Sequence, residues 1–235
     1  MSIAENIARV RERIQIAAER TGRNAETITL MAVSKTFPAS SIREAYDAGL
    51  RVFGENRVQE FAGKAEDLRD LEQARWHMIG HLQTNKAVKA AEMFHAVDSV
   101  DSLKLAEKLN DAGRSEGKKV AVLVEVNVGG EEAKTGVAPD STELDGLLSA
   151  AARLEHLEIR GLMTVPPFTE DPQGTRFYFR KLRELRDQIA QRRIYGLGMD
   201  VLSMGMSHDF EVAIEEGSTC VRVGTGIFGM RSPKL

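Results

Sequence analysis

Lys35 stands at the carboxyl end of an apolar, strand-like run at residues 30–33. Pro38 follows shortly after and permits only an extended exit or the first turn of a helix, so the run must end near the lysine. A lysine amine held among apolar neighbours loses its proton more readily, and the neutral nitrogen attacks carbonyl carbons. Lys35 is therefore predicted to form a Schiff base, with a solvated surface lysine as the alternative reading.

Three glycines near the end of the sequence match the pattern G-x-G-x-x-G: Gly224, Gly226 and Gly229. That pattern indicates a dinucleotide site only where it opens a βαβ unit with an acidic residue about twenty positions later. Only residues 230–235 follow Gly229 in this sequence. We therefore expect these glycines to serve a different purpose.

Strand-like and helix-like runs alternate along the chain after an amphipathic first helix that ends near Gly22. Asp101 and Asp140 are predicted to cap two of the later helices. The eight strand-like runs are TITLMAVSK, RVFGEN, RWHMIG, MFHAVDSV, KVAVLVEVNV, EIRGLMTVPP, VLSMGM and STCVRVGTGIFG.

Strands that are apolar on both faces and alternate with helices predict a parallel sheet covered by helices. Eight such units favour an α/β fold that closes into a single (β/α)8 TIM barrel, with an open doubly wound sheet as the alternative. No linker or low-complexity tract interrupts the pattern. We therefore expect one domain over residues 1–235, with residues 1–22 forming a helix outside the barrel units.

Polar residues follow the predicted strands, and in barrels of this kind the carboxyl ends of the strands carry the chemistry. A capped loop explains any one of them, whereas their coincidence around one rim favours a site. The set comprises Lys35, Glu55, Asn56, Arg57, His81, Gln83, Asn85, Lys86, Asp98, Ser99, Asn127, Lys134, Thr164, Ser203, Ser207, Arg222, Gly224 and Thr225.

The loops after the seventh and eighth strands, MGMSHDF and RVGTGIFG, stand where barrels often bind phosphate through backbone N–H groups. Ser207 also precedes the helix-like run DFEVAIEEG, and we expect it to stand at that helix N-terminus, which favours an anion. An amine on the first strand and a phosphate site on the last two predict a phosphorylated carbonyl compound. Pyridoxal 5′-phosphate (PLP) fits both ends.

Composition limits the other classes of function. The 35 acidic and 32 basic residues leave a net charge of −3, which argues against a surface built for nucleic acid or an anionic membrane. The single cysteine, Cys220, cannot form an internal disulfide, and the sequence shows neither a signal peptide nor a membrane-spanning run. We expect a cytoplasmic protein.

Several remaining side chains favour structural roles. Cys220 is predicted to be a small core residue, and the histidines His77, His95 and His156 lack the spacing of a metal site. No metal is therefore expected. The methionines predicted to fill the barrel core are Met31, Met78, Met163 and Met206.

Ordered blocks from about residue 27 to residue 229 resemble the pyridoxal phosphate homeostasis proteins, also called the proline synthase co-transcribed homologues. The blocks are AVSKT, FGENRVQE, WHMIGHLQTNK, EVNVGGEEAKTGV, GLMTVPP, LSMGMSHDFEVAIEEGST and VRVGTGIFG. The resemblance implies an alanine-racemase-type barrel without a second domain. It also implies that PLP is bound as an internal aldimine and that the protein has no established enzymatic reaction.

The resemblance assigns roles by motif. Lys35 would hold the cofactor aldehyde and Asn56 would flank the ring, while Arg222 would face the pyridine nitrogen. The residues that would hold the phosphate are Ser207, Gly224 and Thr225, and those that would line the pocket are His81 and Met204. Lys134 matches a lysine of the family motif and would be auxiliary.

Two classes of function remain open, a PLP carrier and a PLP-dependent amino-acid racemase of low activity. An arginine at the ring nitrogen cannot supply the carboxylate that many PLP enzymes use there. Alanine racemases share that arginine but add a tyrosine base from a further domain of the partner subunit. Here Tyr46 and Tyr178 fall in helical runs and Tyr195 falls in a loop, so a carrier is favoured. Apo PLP enzymes would be candidate recipients, and we expect a monomer or weak homodimer.

Overall fold

Eight parallel strands form a closed barrel in the computed structural model, which describes residues 2–131 and 135–230. Each strand pairs with the next along the sequence, and the eighth pairs with the first. The strands are β1 (Thr29–Val33), β2 (Val52–Glu55), β3 (Arg75–Met78), β4 (Ala96–Val100), β5 (Val120–Glu125), β6 (Leu157–Met163), β7 (Leu197–Met206) and β8 (Cys220–Val223). The predicted (β/α)8 barrel is thus confirmed, and the open sheet is excluded.

Helices cover the outside of this barrel. They are α1 (Ile3–Glu19), α2 (Ala39–Asp47), α3 (Val58–Ala65), α4 (Ala87–Met93), α5 (Leu103–Ser115), α6 (Thr142–Ala150), α7 (Arg176–Gln191), α8 (Phe210–Glu215) and α9 (Thr225–Phe228). Helix α1 precedes β1, α9 follows β8, and the others lie between successive strands. Every residue of β4 and β8 is buried, because helices pack on one side of each strand and the barrel core on the other. None of the helices in the described ranges is long and apolar enough to cross a bilayer.

The helix caps lie one residue later than the sequence predicts. Ser102 caps α5 by accepting the N–H of Leu105, and Ser141 caps α6 in the same way. The predictions of Asp101 and Asp140 as caps are therefore wrong. Asp101 is instead directed to His81, because the hydroxyl that follows it already satisfies the helix N-terminus.

The first helix lies outside the barrel, as predicted, and packs against α2, α8 and α9. Its Asn6 side chain donates a hydrogen bond to the Ile227 carbonyl at 2.8 Å, and Arg13 forms an ion pair with Glu211 at 2.7 Å. Helix α1 thus covers the junction of β8 and β1, where a full-length helix after β8 would otherwise lie.

The end of the last strand differs from the prediction. The sequence suggests a strand over residues 218–229, but β8 ends at Val223 and α9 forms one helical turn after Gly224. The N–H groups of Gly224 and Gly226 both point to the Ser207 hydroxyl at 3.2 Å. The chain therefore leaves the sheet to meet the loop after β7.

A bulge at Gly205 sets which side chains of β7 face the barrel interior. Ser203 pairs with Cys220 and Met206 pairs with Arg222, so three residues of β7 span two residues of β8. Gly205 has a φ of +94°, and a Cβ there would lie 2.5 Å from the Cβ of Ala213. Glycine is therefore required at this bulge.

Candidate functional site

A cavity of about 580 Å³ opens at the carboxyl ends of the strands. Seven of the eight residues named as cofactor contacts line it: Lys35, Asn56, His81, Ser207, Arg222, Gly224 and Thr225. They come from β1, β2, β3, β7 and β8 or the loops that follow these strands. Barrel closure is what brings them together, because β8 lies beside β1.

Met204 does not line this cavity, so its predicted place there is wrong. Its side chain is completely buried in the apolar core. Because the bulge at Gly205 changes the alternation of β7, Met206 faces the cavity instead and is 36% exposed. The prediction of Met206 as a core filler is wrong for the same reason.

Lys35 lies in a tight turn directly after β1. Thr36 adopts a left-handed backbone conformation with φ of 68°, which is uncommon for a β-branched residue and indicates a constrained turn. The Phe37 ring then stacks on Phe228 of α9 with ring centroids 4.7 Å apart. The turn that carries Lys35 is thus fixed to the loop that carries Gly224 and Thr225.

Asn56 and His81 lie side by side on the wall formed by the ends of β2 and β3. Gly80 makes this possible, because a Cβ there would lie 2.5 Å from the Asn56 carbonyl oxygen. His81 Nδ1 lies 3.0 Å from Asp101 Oδ2, and about half of the His81 side chain is exposed. Asp101 therefore orients the imidazole at the mouth of the cavity.

Arg222 presents a buried guanidinium at the base of the cavity. It donates hydrogen bonds to Ser203 Oγ at 2.8 Å and to the Thr164 carbonyl at 2.7 Å, which fix the plane of the group. Burial lowers the pKa of Arg222 from its ordinary value, but arginine stays protonated in proteins. The base of the cavity therefore offers hydrogen-bond donors to a ligand acceptor.

Glu125 lies at the end of β5 and also lines the cavity, although it is absent from the site residues predicted from the sequence. Burial raises the pKa of its carboxyl, and the Thr135 hydroxyl donates to Glu125 Oε1 at 2.8 Å. Its place as the last residue of a buried strand was the signal that could have identified it, by the same rule that selected Lys35.

The loops that follow β7 and β8 meet through Ser207. Its hydroxyl accepts the N–H groups of Gly224 and Gly226, and it lines the cavity together with Gly224 and Thr225. Helix α8 begins only at Phe210, so the expectation that Ser207 stands at its N-terminus is wrong. The Ser207 and Thr225 hydroxyls are the side-chain donors at this end of the cavity.

The remaining rim residues that the structure describes do not line this cavity. Gln83 and Asn85 lie beside a separate depression near Ser102. Asp98 points into the barrel interior, where it lies 3.0 Å from His77 Nδ1. Within residues 2–131 and 135–230, no three His, Cys, Asp or Glu side chains form a group that could hold a metal ion. Lys134 lies outside the described residues.

The geometry suits a ligand with a carbonyl, an acceptor atom and a phosphate. Lys35 supplies the amine, and Arg222 supplies donors at the base of the cavity. The Ser207 and Thr225 hydroxyls line the cavity and can donate to a phosphate, whereas the N–H groups of Gly224 and Gly226 already donate to Ser207 Oγ. The residues present therefore fit PLP.

Comparison with known proteins agrees with this chemistry. The family "Alanine racemase, N-terminal domain" matches residues 5–232. A "Pyridoxal phosphate homeostasis protein" of Aquifex aeolicus is 49% identical over 98% of this chain and 99% of its own length. PipY of Synechococcus elongatus, whose structure was solved with PLP bound, is 38% identical to this chain. The two structures superpose with a TM-score of 0.84, and the match covers 97% of this chain and all of PipY.

The fold is also shared with alanine racemases. The structure of the enzyme from Corynebacterium glutamicum superposes with a TM-score of 0.71 at 20% identity. The match covers 97% of this chain but 61% of the racemase chain. At this identity the likeness concerns the barrel alone.

Proposed function

The chain belongs to the family of pyridoxal phosphate homeostasis proteins, and we propose that it binds PLP at the Lys35 cavity and buffers or delivers it. The observation that carries this proposal is the joint presence, in one cavity, of Lys35, the base guanidinium of Arg222 and the Ser207 loop. Each of the three recognises a different group of PLP: the aldehyde, the pyridine nitrogen or the phosphate. The PLP-bound relative PipY supports the same ligand.

PLP supplies an aldehyde that condenses with an amine to a C=N bond, with the release of one water molecule. Lys35 provides that amine from the turn after β1. Asn56 and His81 bound the cavity beside it, and Arg222 donates a hydrogen bond toward the pyridine nitrogen. Ser207 and Thr225 bind the phosphate oxygens through their hydroxyl groups, and Gly224 lines the cavity beside them.

A carrier role is favoured over catalysis because the described part of the cavity wall offers no tyrosine as a second base. None of the described residues that line it is a tyrosine. Tyr46 and Tyr178 lie in α2 and α7, and Tyr195 is 84% exposed in the loop before β7. The relatives are named for PLP homeostasis and not for a reaction. A slow racemase that uses Lys35 alone is the competing function.

The surroundings of the cavity suit exchange with other proteins. His81 and Met206 are partly exposed, so the mouth of the cavity is accessible to an incoming amine. We propose that apo PLP enzymes receive the cofactor and that the protein acts in the cytoplasm as a monomer or weak homodimer.

One experiment separates carrier from racemase. PLP-loaded protein is incubated with each common amino acid in both enantiomers, and racemisation, decarboxylation and transamination are followed. In parallel, the loaded protein is mixed with an apo PLP enzyme whose activity reports transfer. Activation of the apo enzyme without amino-acid turnover supports the carrier. Robust turnover of any amino acid that is lost in Lys35→Ala would establish an enzyme instead.

A further inference from the structure

A buried ionic cluster lies behind the Lys35 turn and outside the cavity. We call it the Lys64 network; it consists of Ser34, Glu55, Glu60 and Lys64. Lys64 of α3 forms an ion pair with Glu55 of β2 at 2.9 Å. The Ser34 hydroxyl donates to the same Glu55 oxygen at 2.5 Å. None of these residues lines the Lys35 cavity.

Stability alone does not account for this cluster. Glu55 is completely buried, and its Oε2 has no hydrogen-bond partner. A buried ion pair is often no more stabilising than apolar side chains of the same volume, because both charges lose their hydration. A buried carboxylate with one unsatisfied oxygen is less favourable still. The network therefore calls for a role other than stability.

Its hydrogen bonds are directed at the turn that carries Lys35. The Lys64 ammonium donates to the carbonyl of Ser34 at 3.1 Å and to that of Phe37 at 3.3 Å, so one charge binds the backbone on both sides of Lys35. The Thr36 N–H donates to the Glu60 carboxylate. Thr36 has the left-handed conformation described above, which a loosely held turn would not keep.

We infer that Lys64 is a positioning residue that fixes the turn at residues 34–37 and so holds the Lys35 amine at the point where the cofactor aldehyde arrives. The inference rests on the proposed function, because it assigns Lys64 a part in the bond between Lys35 and PLP. Lys64 itself remains behind the turn and contacts no ligand. Orientation of a reacting group is worth large factors in rate and affinity, even for displacements near 1 Å.

The test compares two ligands that differ at one group. PLP condenses with Lys35, whereas pyridoxamine 5′-phosphate carries an amine in place of the aldehyde and cannot. The double variant Glu55→Gln with Lys64→Met removes both charges at similar volume, so no lone charge stays buried. Dissociation constants for both ligands and the rate of the absorbance change with PLP are measured, with thermal melting as a check of folding.

We expect PLP to bind the double variant about tenfold more weakly and to react more slowly, while pyridoxamine 5′-phosphate binds within about twofold of wild type. An equal loss of affinity for both ligands, or no change in either affinity, would overturn the inference. The matched control is Lys89→Met with Glu92→Gln, an exposed pair on α4, which should alter neither ligand.

A milder variant keeps the test decisive if the double variant does not fold. Ser34→Ala removes only the hydroxyl that donates to Glu55, and we expect it to lower the affinity for PLP selectively, by about threefold. An unchanged ratio of the two affinities in this variant would refute the role of the network. Borohydride trapping on the wild-type protein tests the proposed function separately. If no cofactor is trapped on Lys35 of wild type, the proposed function fails, whatever the variants show.

Discussion

Removal of the Ser207 hydroxyl tests the proposed phosphate site most sharply. The hydroxyl accepts hydrogen bonds in the free protein and is proposed to donate one to the phosphate in the complex, so its loss should change both folding stability and PLP affinity. In the free protein it accepts the N–H groups of Gly224 and Gly226 at 3.2 Å. Each such bond contributes about 1 kcal/mol, so Ser207→Ala should lose about 1–2 kcal/mol of folding free energy. For a chain of this length, the melting temperature should fall by about 2–8 °C.

The effect on PLP binding combines two opposing contributions. A hydrogen bond to the charged phosphate is worth about 1.5–3 kcal/mol, and its loss alone would weaken binding by about 10-fold to 150-fold. The N–H groups of Gly224 and Gly226 are then released to the phosphate, which offsets part of the loss. We therefore expect Ser207→Ala to bind PLP about tenfold more weakly and to keep its affinity for unphosphorylated pyridoxal.

Titrations of both ligands and melting curves with and without PLP provide the assay. Saturating PLP should restore most of the lost melting temperature. Ser141→Ala is the matched control, since this hydroxyl also accepts a backbone N–H but caps α6 away from the cavity. If Ser207→Ala combined with Thr225→Val still distinguished PLP from pyridoxal as well as wild type does, the phosphate would bind elsewhere.

Three further predictions follow from particular contacts. Gly80→Ala should lose about 1–3 kcal/mol in urea unfolding and bind PLP less tightly, because its Cβ would lie 2.5 Å from the Asn56 carbonyl, whereas Gly63→Ala in the open interior of α3 should be neutral or stabilising. Burial raises the pKa of Cys220 to about 12, so a thiol reagent at about pH 8 should modify the native protein far more slowly than the unfolded one, and equal rates would contradict its burial. Burial tends to raise the pKa of Glu216, but hydrogen bonds from Arg180 and Arg176 outweigh this and hold it below its ordinary value of 4.5. The pKa of Glu216 is thus lower in the folded protein than in the unfolded chain, so the stabilisation that the ionised Glu216 provides is complete above pH 4.5 and is lost as the pH falls further. Glu216→Gln should therefore flatten this part of the pH profile of the unfolding free energy, measured by urea unfolding.

The sequence predicts the barrel well because its signals are repeated. Eight apolar runs alternate with helical runs, and a parallel sheet is the arrangement that buries strands on both faces. Lys35, Ser207 and Arg222 lie in one cavity because barrel closure places the first strand beside the last. The rule that chemistry gathers at the carboxyl ends of strands was therefore sufficient to select them.

The errors arise where a local backbone irregularity decides the direction of a side chain. Met206 faces the cavity where Met204 is predicted because β7 contains one extra residue at Gly205. A strict alternation of side chains along the strand cannot predict such a bulge. The short turn of α9 depends on hydrogen bonds to Ser207, which is far away in sequence. Tertiary contacts, not propensity, fix both features.

The Lys64 network lay equally beyond sequence reasoning. A lysine within an amphipathic helix normally extends into solvent, and nothing in the run RVQEFAGKAEDL marks Lys64 as buried. Its partner Glu55 ends β2 beside Asn56, where the strand-end rule would assign it to the cavity. Only the structure shows that Glu55 points to α3 and that Asn56 lines the cavity.

Chemical trapping of the cofactor on Lys35 tests the central claim most directly. Purified protein is incubated with PLP, its absorbance spectrum is recorded, and borohydride reduction is followed by peptide mass mapping of wild type and Lys35→Ala. We expect a yellow protein whose pyridoxyl adduct lies on Lys35 and is lost in the variant. An adduct found only on Lys86 or Lys134, or an unchanged spectrum with no adduct, would contradict the assignment of this cavity as the PLP site.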